Sequence, residues 1–196
     1  MAPQPRARMS AALTHLVSLL RTIPPSSAVL IFLQEMSEDA PAASSGASTR
    51  AADLSQIADT SWIRETFNVT DLTPEKWSAH YGQTTLIDRR LSIEKVERLR
   101  LVSEFGRDAL MVDLRLTSST RDGEHNELLR VCNVQPDSMA GDARPIQWEG
   151  IAAHLQDDTA DVSASILAGD RNATRPRDGS LPQQNGFKDS YFRARW

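Results

Sequence analysis

Two short apolar runs in this chain each lead into a carboxylate. Val29-Leu30-Ile31-Phe32-Leu33 runs into Gln34-Glu35, and Ser165-Ile166-Leu167-Ala168 runs into Gly169-Asp170-Arg171-Asn172. Each run predicts a buried β-strand, and the carboxyl ends of strands are where α/β sheets generally build their sites. Ahead of the first run, Ser10 is expected to cap a helix in which Leu13, Leu16, Val17 and Leu20 share one face. Pro24-Pro25 stops that helix. Residues 37–53 (SEDAPAASSGASTRAAD) are small, polar and low in complexity, which predicts a disordered insertion.

A helix over Leu54–Thr66 follows, with Leu54, Ile57, Ala58 and Trp62 on one side, then strands at Phe67–Asp71, Thr84–Asp88 and Ile93–Val102. Ala109–Leu116 and Leu128–Val134 are expected as neighbouring strands across a polar loop, Thr117–Glu127, whose Asp122-Gly123 suits a hairpin. Pro145 begins a helix in which Ile146, Ile151 and Leu155 share a face near Trp148, and Ile166–Ala168 is the next buried strand. This alternation implies one α/β domain over 1–196, with helices covering mixed or antiparallel sheets.

Composition changes this picture little. With 196 residues, 40% apolar and 24% charged, the chain can bury a sizeable core. A net charge of −4 gives no whole-chain attraction to nucleic acid or to an anionic membrane, although local basic patches are compatible with it. His15, His80, His125 and His154 are too scattered for zinc spacings, and Cys132, alone in an apolar run, reads as a small buried hydrophobe. The basic, acid-free start has the charge of a targeting peptide, but its periodicity favours the amphipathic helix. No apolar stretch approaches the ~20 residues of a membrane span. An intracellular location is expected, with nucleus and cytoplasm not distinguished.

The candidate chemistry sits at the strand ends. Glu35 can hold a hard cation such as Mg²⁺, which needs one or two carboxylates and keeps much of its water; the alternative is a solvated acid. Asp170 can accept a proton from an attacking water or share the metal, and Asn172 can donate to a phosphoryl oxygen. The same residues also suit an Asx turn. Asn133, at the end of the Leu128–Val134 strand, is a third polar group that could orient a phosphate. Gln135, Asp137 and Arg144 follow it, while Tyr81–Thr85 and Arg107-Asp108 supply further polar groups near expected strand ends. Arg107 is either a phosphate partner or half of a surface salt bridge with Asp108. Arg171, Arg175, Arg177, Lys188, Arg193 and Arg195 form either a phosphate-attracting rim or a solvated tail.

These residues resemble the endonuclease/exonuclease/phosphatase superfamily. The resemblance rests on Leu33-Gln34-Glu35, on Asn133-Val134-Gln135-Pro136-Asp137-Ser138, on Gly169-Asp170-Arg171-Asn172 and on Asn185-Gly186-Phe187-Lys188-Asp189-Ser190-Tyr191, in that order. Tyr81–Leu91 and Gly106–Leu110 are similar to the fungal branch related to tyrosyl-DNA phosphodiesterase. The resemblance implies a four-layered α/β sandwich of two mixed sheets flanked by helices. It also implies Mg²⁺- or Mn²⁺-dependent hydrolysis of a phosphodiester, DNA or RNA among the candidates. Glu35 is then a metal ligand, Asp170 matches the aspartate that positions or deprotonates the nucleophile, Asn172 matches the asparagine that stabilises the phosphoryl group, and Asn133 begins the family's Asn-x-His stretch. The family's histidine is Gln135 here, and glutamine can neither carry the charge nor shuttle the proton. The family's opening Trp-Asn strand and closing Ser-Asp-His segment have no counterpart, so a sandwich incomplete at both termini is expected. Two readings follow: a metal-dependent phosphodiesterase, and a catalytically inactive pseudoenzyme, interaction protein or fragment of the same fold.

Overall fold

The computed structural model describes residues 5–37, 53–120, 123–139, 142–157 and 161–190. The chain divides into two units, Met1–Leu91 and Ser92–Trp196. Among the described residues no helix is long and apolar enough to cross a membrane.

The first unit opens with α1 (Pro5–Leu20). Ser10 lies inside this helix rather than at its cap, its carbonyl accepting the Thr14 hydroxyl at 2.9 Å. Arg6 to Met9 are good helix formers, and a proline fits a first turn, so the helix extends back to Pro5. Met9 and Leu13 are its buried residues. Strand β1 (Leu30–Ser37) follows, then α2 (Asp53–Asp59), α3 (Ser61–Thr66), β2 (Phe67–Val69) and β3 (Tyr81–Asp88). The expected helix over Leu54–Thr66 is therefore two helices. Thr60 is extended between them, and its hydroxyl donates to the Gln56 carbonyl at 2.6 Å, a local bond that competes with the helical ladder. Residues 38–52, nearly all of the expected insertion, lie outside the described residues. Its flanks are joined: the buried Asp53 carboxylate accepts Ser37 N–H at 2.8 Å and the Ser37 hydroxyl at 2.9 Å.

The sheet order is β1-β3-β2, all antiparallel. As the central strand, β3 is buried from Gln83 to Asp88. Thr84 and Thr85 thus belong to the sheet interior, and the Thr84 hydroxyl is bonded to the Thr70 hydroxyl (3.2 Å) and the Asp71 carbonyl (3.3 Å). Trp77 crosses β3 at Gly82, where any Cβ would lie 2.4 Å from its ring, so only glycine fits. Ile57, Ile63, Phe67 and Leu86 form the centre of this core. β1 is an edge strand and only half-buried from Leu30 to Gln34, less covered than its apolar run predicts.

The second unit holds β4 (Ser92–Arg100), β5 (Asp108–Thr120), β6 (Gly123–Val134), α4 (Arg144–Leu155), β7 (Val162–Ala168), a 3-10 turn (Pro176–Ser180) and α5 (Leu181–Gln184). The order β4-β5-β6-β7 follows the sequence. The first two pairings are antiparallel, and β6 with β7 is parallel across the α4 crossover. The residues expected as a polar loop, Thr117–Glu127, instead prolong the β5–β6 ribbon to the pair Thr120↔Gly123. Threonine is a good strand former whatever the polarity of its neighbours, so polarity alone misled; Asp122 is outside the described residues.

In α4 the buried face is Gln147, Trp148, Ile151, Ala152 and Leu155, while Ile146 is 56% exposed. Residues five apart lie ~140° around a helix, so Ile146 and Ile151 cannot share a face. Strand β7 is an edge strand with Ser163 to Ile166 exposed, Ile166 by 51%, which corrects the expectation of a buried run. A buried bidentate pair, Arg130 to Asp113 at 2.7 and 2.8 Å, bridges β6 and β5, and Arg130 also donates to the His154 carbonyl at the end of α4.

In the first unit, Arg90 clamps Asp88 at 2.6 and 2.9 Å and donates to the Pro25 and Ser27 carbonyls at 2.6 Å. The Arg90 hydrogen bonds hold the Asp88 carboxyl at about 2, against the opposing effect of burial, from an ordinary value of 3.8. A carboxyl lowered on folding stabilises the protein above its unfolded value and loses that stabilisation as pH falls through its folded value. The thermal midpoint of Asp88→Asn should therefore fall less between pH 4 and pH 2 than that of the parent. Equal slopes in a pH series of melting curves would refute this.

Candidate functional site

Parallel pairing of β6 with β7 sets Asn133 opposite Ala168, so the segments leaving both strands emerge side by side. One is Val134 to Met139, the other Gly169 to Thr174. This is the position, beyond the carboxyl ends of parallel strands, at which α/β sheets accommodate ligands. Gly169 has φ 149°, a backbone region that favours glycine, and the chain turns there at the strand end. Asp170 is exposed, and its Oδ1 accepts the Asn172 N–H at 2.9 Å. That Asx turn leaves Asn172 at φ 47°, a left-handed conformation that asparagine tolerates well. The Asn172 amide then donates to the Pro136 carbonyl at 2.7 Å and latches the two segments together. An amide NH₂ has two hydrogens, so one remains for another acceptor. The Asx turn and the chemical reading of these residues are thus compatible: the turn is what places Asn172.

Asn133 is fully buried at the end of β6. Gln135, two residues on, is also buried and accepts a hydrogen bond from Arg107 Nη1, so its amide oxygen faces inward. Arg107 is accordingly a buried cation rather than a surface group, and the Asp108 carboxylate, also buried, takes two bonds from Arg98 at 2.8 and 2.9 Å. Asp137 is a scaffold residue. Its carboxylate accepts the Ser103 hydroxyl and, at 3.0 Å, Glu104 N–H, and its own N–H donates to Gln147 Oε1 at 2.9 Å.

Beneath these segments lies a pair that the strand-end reasoning missed. Arg144, fully buried at the start of α4, donates to Asp178 Oδ2 at 2.6 Å and to the Asp137 carbonyl at 2.8 Å. Asp178 also accepts Arg175 N–H at 2.8 Å. Burial would raise the Asp178 carboxyl, but these bonds reverse the effect and hold it below its ordinary value. A signal was available in two Arg-Pro steps, Arg144-Pro145 and Arg175-Pro176, each opening a helical turn. Of the basic run, Arg175 and Arg177 both approach Asp142, at 3.1 and 3.3 Å, and Arg171 and Lys188 are exposed; Arg193 and Arg195 lie outside the described residues. From Pro176 to Gln184 the segment is folded, with Leu181 and Pro182 buried.

Glu35 belongs to the first unit. It sits in β1 where the register with β3 shifts between Leu33 and Met36, with φ 54° and an exposed side chain. A bulge of this kind re-aims a side chain out of the strand's alternation. Among the described residues, no group of three or more histidine, cysteine or acidic side chains could hold a metal ion. Cys132 is buried, and burial pushes its thiol up to about 12, leaving it inert as a nucleophile.

No family model matches the sequence, and no curated protein matches it. Solved structures do. TDP2 from Caenorhabditis elegans superposes with a TM-score of 0.58 at 16% identity, over 89% of this chain and 45% of that one. D. rerio TDP2 complexed with single strand DNA product gives 0.58 at 14% identity, over 96% and 62%. The human Nocturnin catalytic domain with bound sulfate anion gives 0.57 at 15% identity, over 91% and 62%. This chain shares the fold of these solved structures, and it spans 45–62% of the length of the three.

Replacing Arg144 by methionine leaves the Asp178 charge buried without its counter-ion, so Arg144→Met should cost about 3–5 kcal/mol. The double variant Arg144→Met/Asp178→Leu should recover much of that loss. Urea denaturation midpoints decide it: a double variant no more stable than the single one would show that the pair is not the scaffold.

Proposed function

We propose that this chain is a phosphodiester hydrolase of the endonuclease/exonuclease/phosphatase type, acting on a nucleic-acid end with Mg²⁺ or Mn²⁺, and that residues 1–196 work as one domain. The observation that carries the reading is the latch between the two strand-end segments. Asp170 and Asn172 stand on the loop after β7, which Asn172 ties to the adjoining loop after β6 by a hydrogen bond to the Pro136 carbonyl over a buried ionic scaffold. A fold shared with D. rerio TDP2 in complex with single strand DNA product supports nucleic acid as the substrate class.

The donor chemistry fits a hard divalent cation. Glu35 and Asp170 are exposed carboxylates, and such an ion takes one or two of these and completes its shell with water and substrate oxygens. Each is a candidate ligand on its own unit, and the ion would supply Lewis-acid polarisation of a phosphoryl oxygen. The chain's own residues do the rest. Asp170 has Oδ1 bound to the Asn172 N–H, which leaves Oδ2 to accept the proton of an attacking water. The second Asn172 amide hydrogen donates to the phosphoryl oxygen as charge develops there. Asn133, wholly buried near the end of β6, would orient the substrate phosphate.

A non-catalytic protein of the same fold is the second reading, and Gln135 is the observation in its favour. It follows the end of β6 without an imidazole, and its amide oxygen is taken by Arg107. Hydrolysis of an end-labelled DNA bearing a 5′-phosphotyrosyl group separates the two. Turnover with Mg²⁺ or Mn²⁺ should be abolished by EDTA, fall by about 10²–10⁴ in Asp170→Asn and by about 10²–10³ in Asn172→Ala. Glu35→Ala should raise the metal concentration needed for half-maximal rate. Folded protein without turnover on this substrate would leave the non-catalytic reading.

A further inference from the structure

Three non-glycine residues among those described have positive φ: Glu35, Asn172 and Met139. The first two have chemical roles above; Met139, at φ 55°, does not. Methionine gains nothing from this conformation, because it lacks the short polar side chain that lets asparagine bond its own backbone there. Core packing does not hold it either, since Met139 is 73% exposed. What holds it is its carbonyl, which accepts the Thr174 hydroxyl at 3.3 Å and Arg144 Nη1 at 3.5 Å. The loop that carries it is latched at Pro136 by Asn172. The groups that fix the strand-end segments therefore also fix an apolar side chain in solvent beside them. Residues kept in sparsely populated backbone regions cluster where a ligand is clamped.

We propose that Met139 is a substrate-contacting residue whose side chain packs against the nucleobase adjoining the scissile phosphate; this rests on the hydrolase reading above. A thioether on an unbranched stem gains from contact with an aromatic face and adapts to rings of different outline. Such a contact discriminates a base from no base, and discriminates weakly among the four bases.

The test is binding of a fluorescent oligonucleotide with a 5′-phosphate to the full chain, read by anisotropy in EDTA so that turnover plays no part. Met139→Asn keeps a residue that tolerates the backbone and removes the apolar contact. It should bind about five- to tenfold more weakly, and Met139→Leu within about twofold of the parent. An oligonucleotide abasic at its 5′ position should bind the parent and Met139→Asn alike. The melting midpoint of Met139→Asn should equal or exceed that of the parent. The proposal is overturned if Met139→Asn binds as the parent does, if its loss persists on the abasic probe, or if its midpoint drops by more than about 3 °C. Parent turnover, assayed separately with Mn²⁺, tells the two failures apart. Turnover with Met139-independent binding removes only this contact, and Met139-dependent binding without turnover removes only the hydrolase.

Discussion

A guanidinium with no exposed surface must find charge and acceptors inside the protein, and Arg144 finds both. Its ion pair with Asp178 joins the start of α4 to the 3-10 turn beyond β7, and its bond to the Asp137 carbonyl reaches the segment after β6. Asp137 extends the chain of dependence through Ser103 and Glu104 to the β4–β5 connection, and Gln147 does so through the Val102 carbonyl at 2.8 Å. Buried ionic groups of this sort add little net stability compared with apolar packing, because desolvation offsets their attraction. They do restrict alternatives, since any rearrangement of one loop strands a charge or a donor in another. In this unit the restricted elements are those that carry the candidate chemistry.

Legibility in the sequence followed the strength of the local signal. The middle strands were readable because Ala109–Leu116 and Leu128–Val134 are largely apolar, and 109–114 and 130–134 are buried on both faces in β5 and β6: Leu110 and Met111 are each buried, as are Val131 and Cys132. The same rule overstated β1 and β7, whose apolar runs end on sheet edges, because a run of apolar residues reports burial only when a neighbour covers each side. It also missed the far half of the β5–β6 ribbon, where threonine and serine form strand without an apolar face. The start of α1 was misplaced for a different reason: a serine followed by leucines looks like a cap, but helix-forming residues upstream of it lowered the cost of an earlier start.

The candidate site was legible as residues and illegible as an arrangement. Asp170, Asn172 and Asn133 could be picked out because polar groups at strand ends are an economical signal, but the sequence does not tell which of them reach solvent. Asn133 and Gln135 are buried, Asp170 is exposed, and the difference comes from β6 lying inside the sheet while β7 lies at its edge. Nor could spacing reveal that Arg107 reaches Gln135, twenty-eight positions away, since that contact exists only through the β5–β6 pairing. Long-range ionic contacts such as Arg144 with Asp178 leave no periodic trace at all.

Left-handed backbone gives a physical measure of how constrained these segments are. At Asn172 the conformation is sustained by the residue itself, through its Asx turn with Asp170. At Glu35 it accompanies a register shift between paired strands, so the sheet on either side sustains it. At Met139 neither device operates, and the conformation depends on donors from Thr174 and Arg144, both of which have partners of their own. A segment held by external donors keeps its shape only while those donors are in place. The shape of the loop after β6 is therefore a consequence of the ion pair beneath it, and changes at Asp178 should reach the surface through Arg144 before they reach the strands.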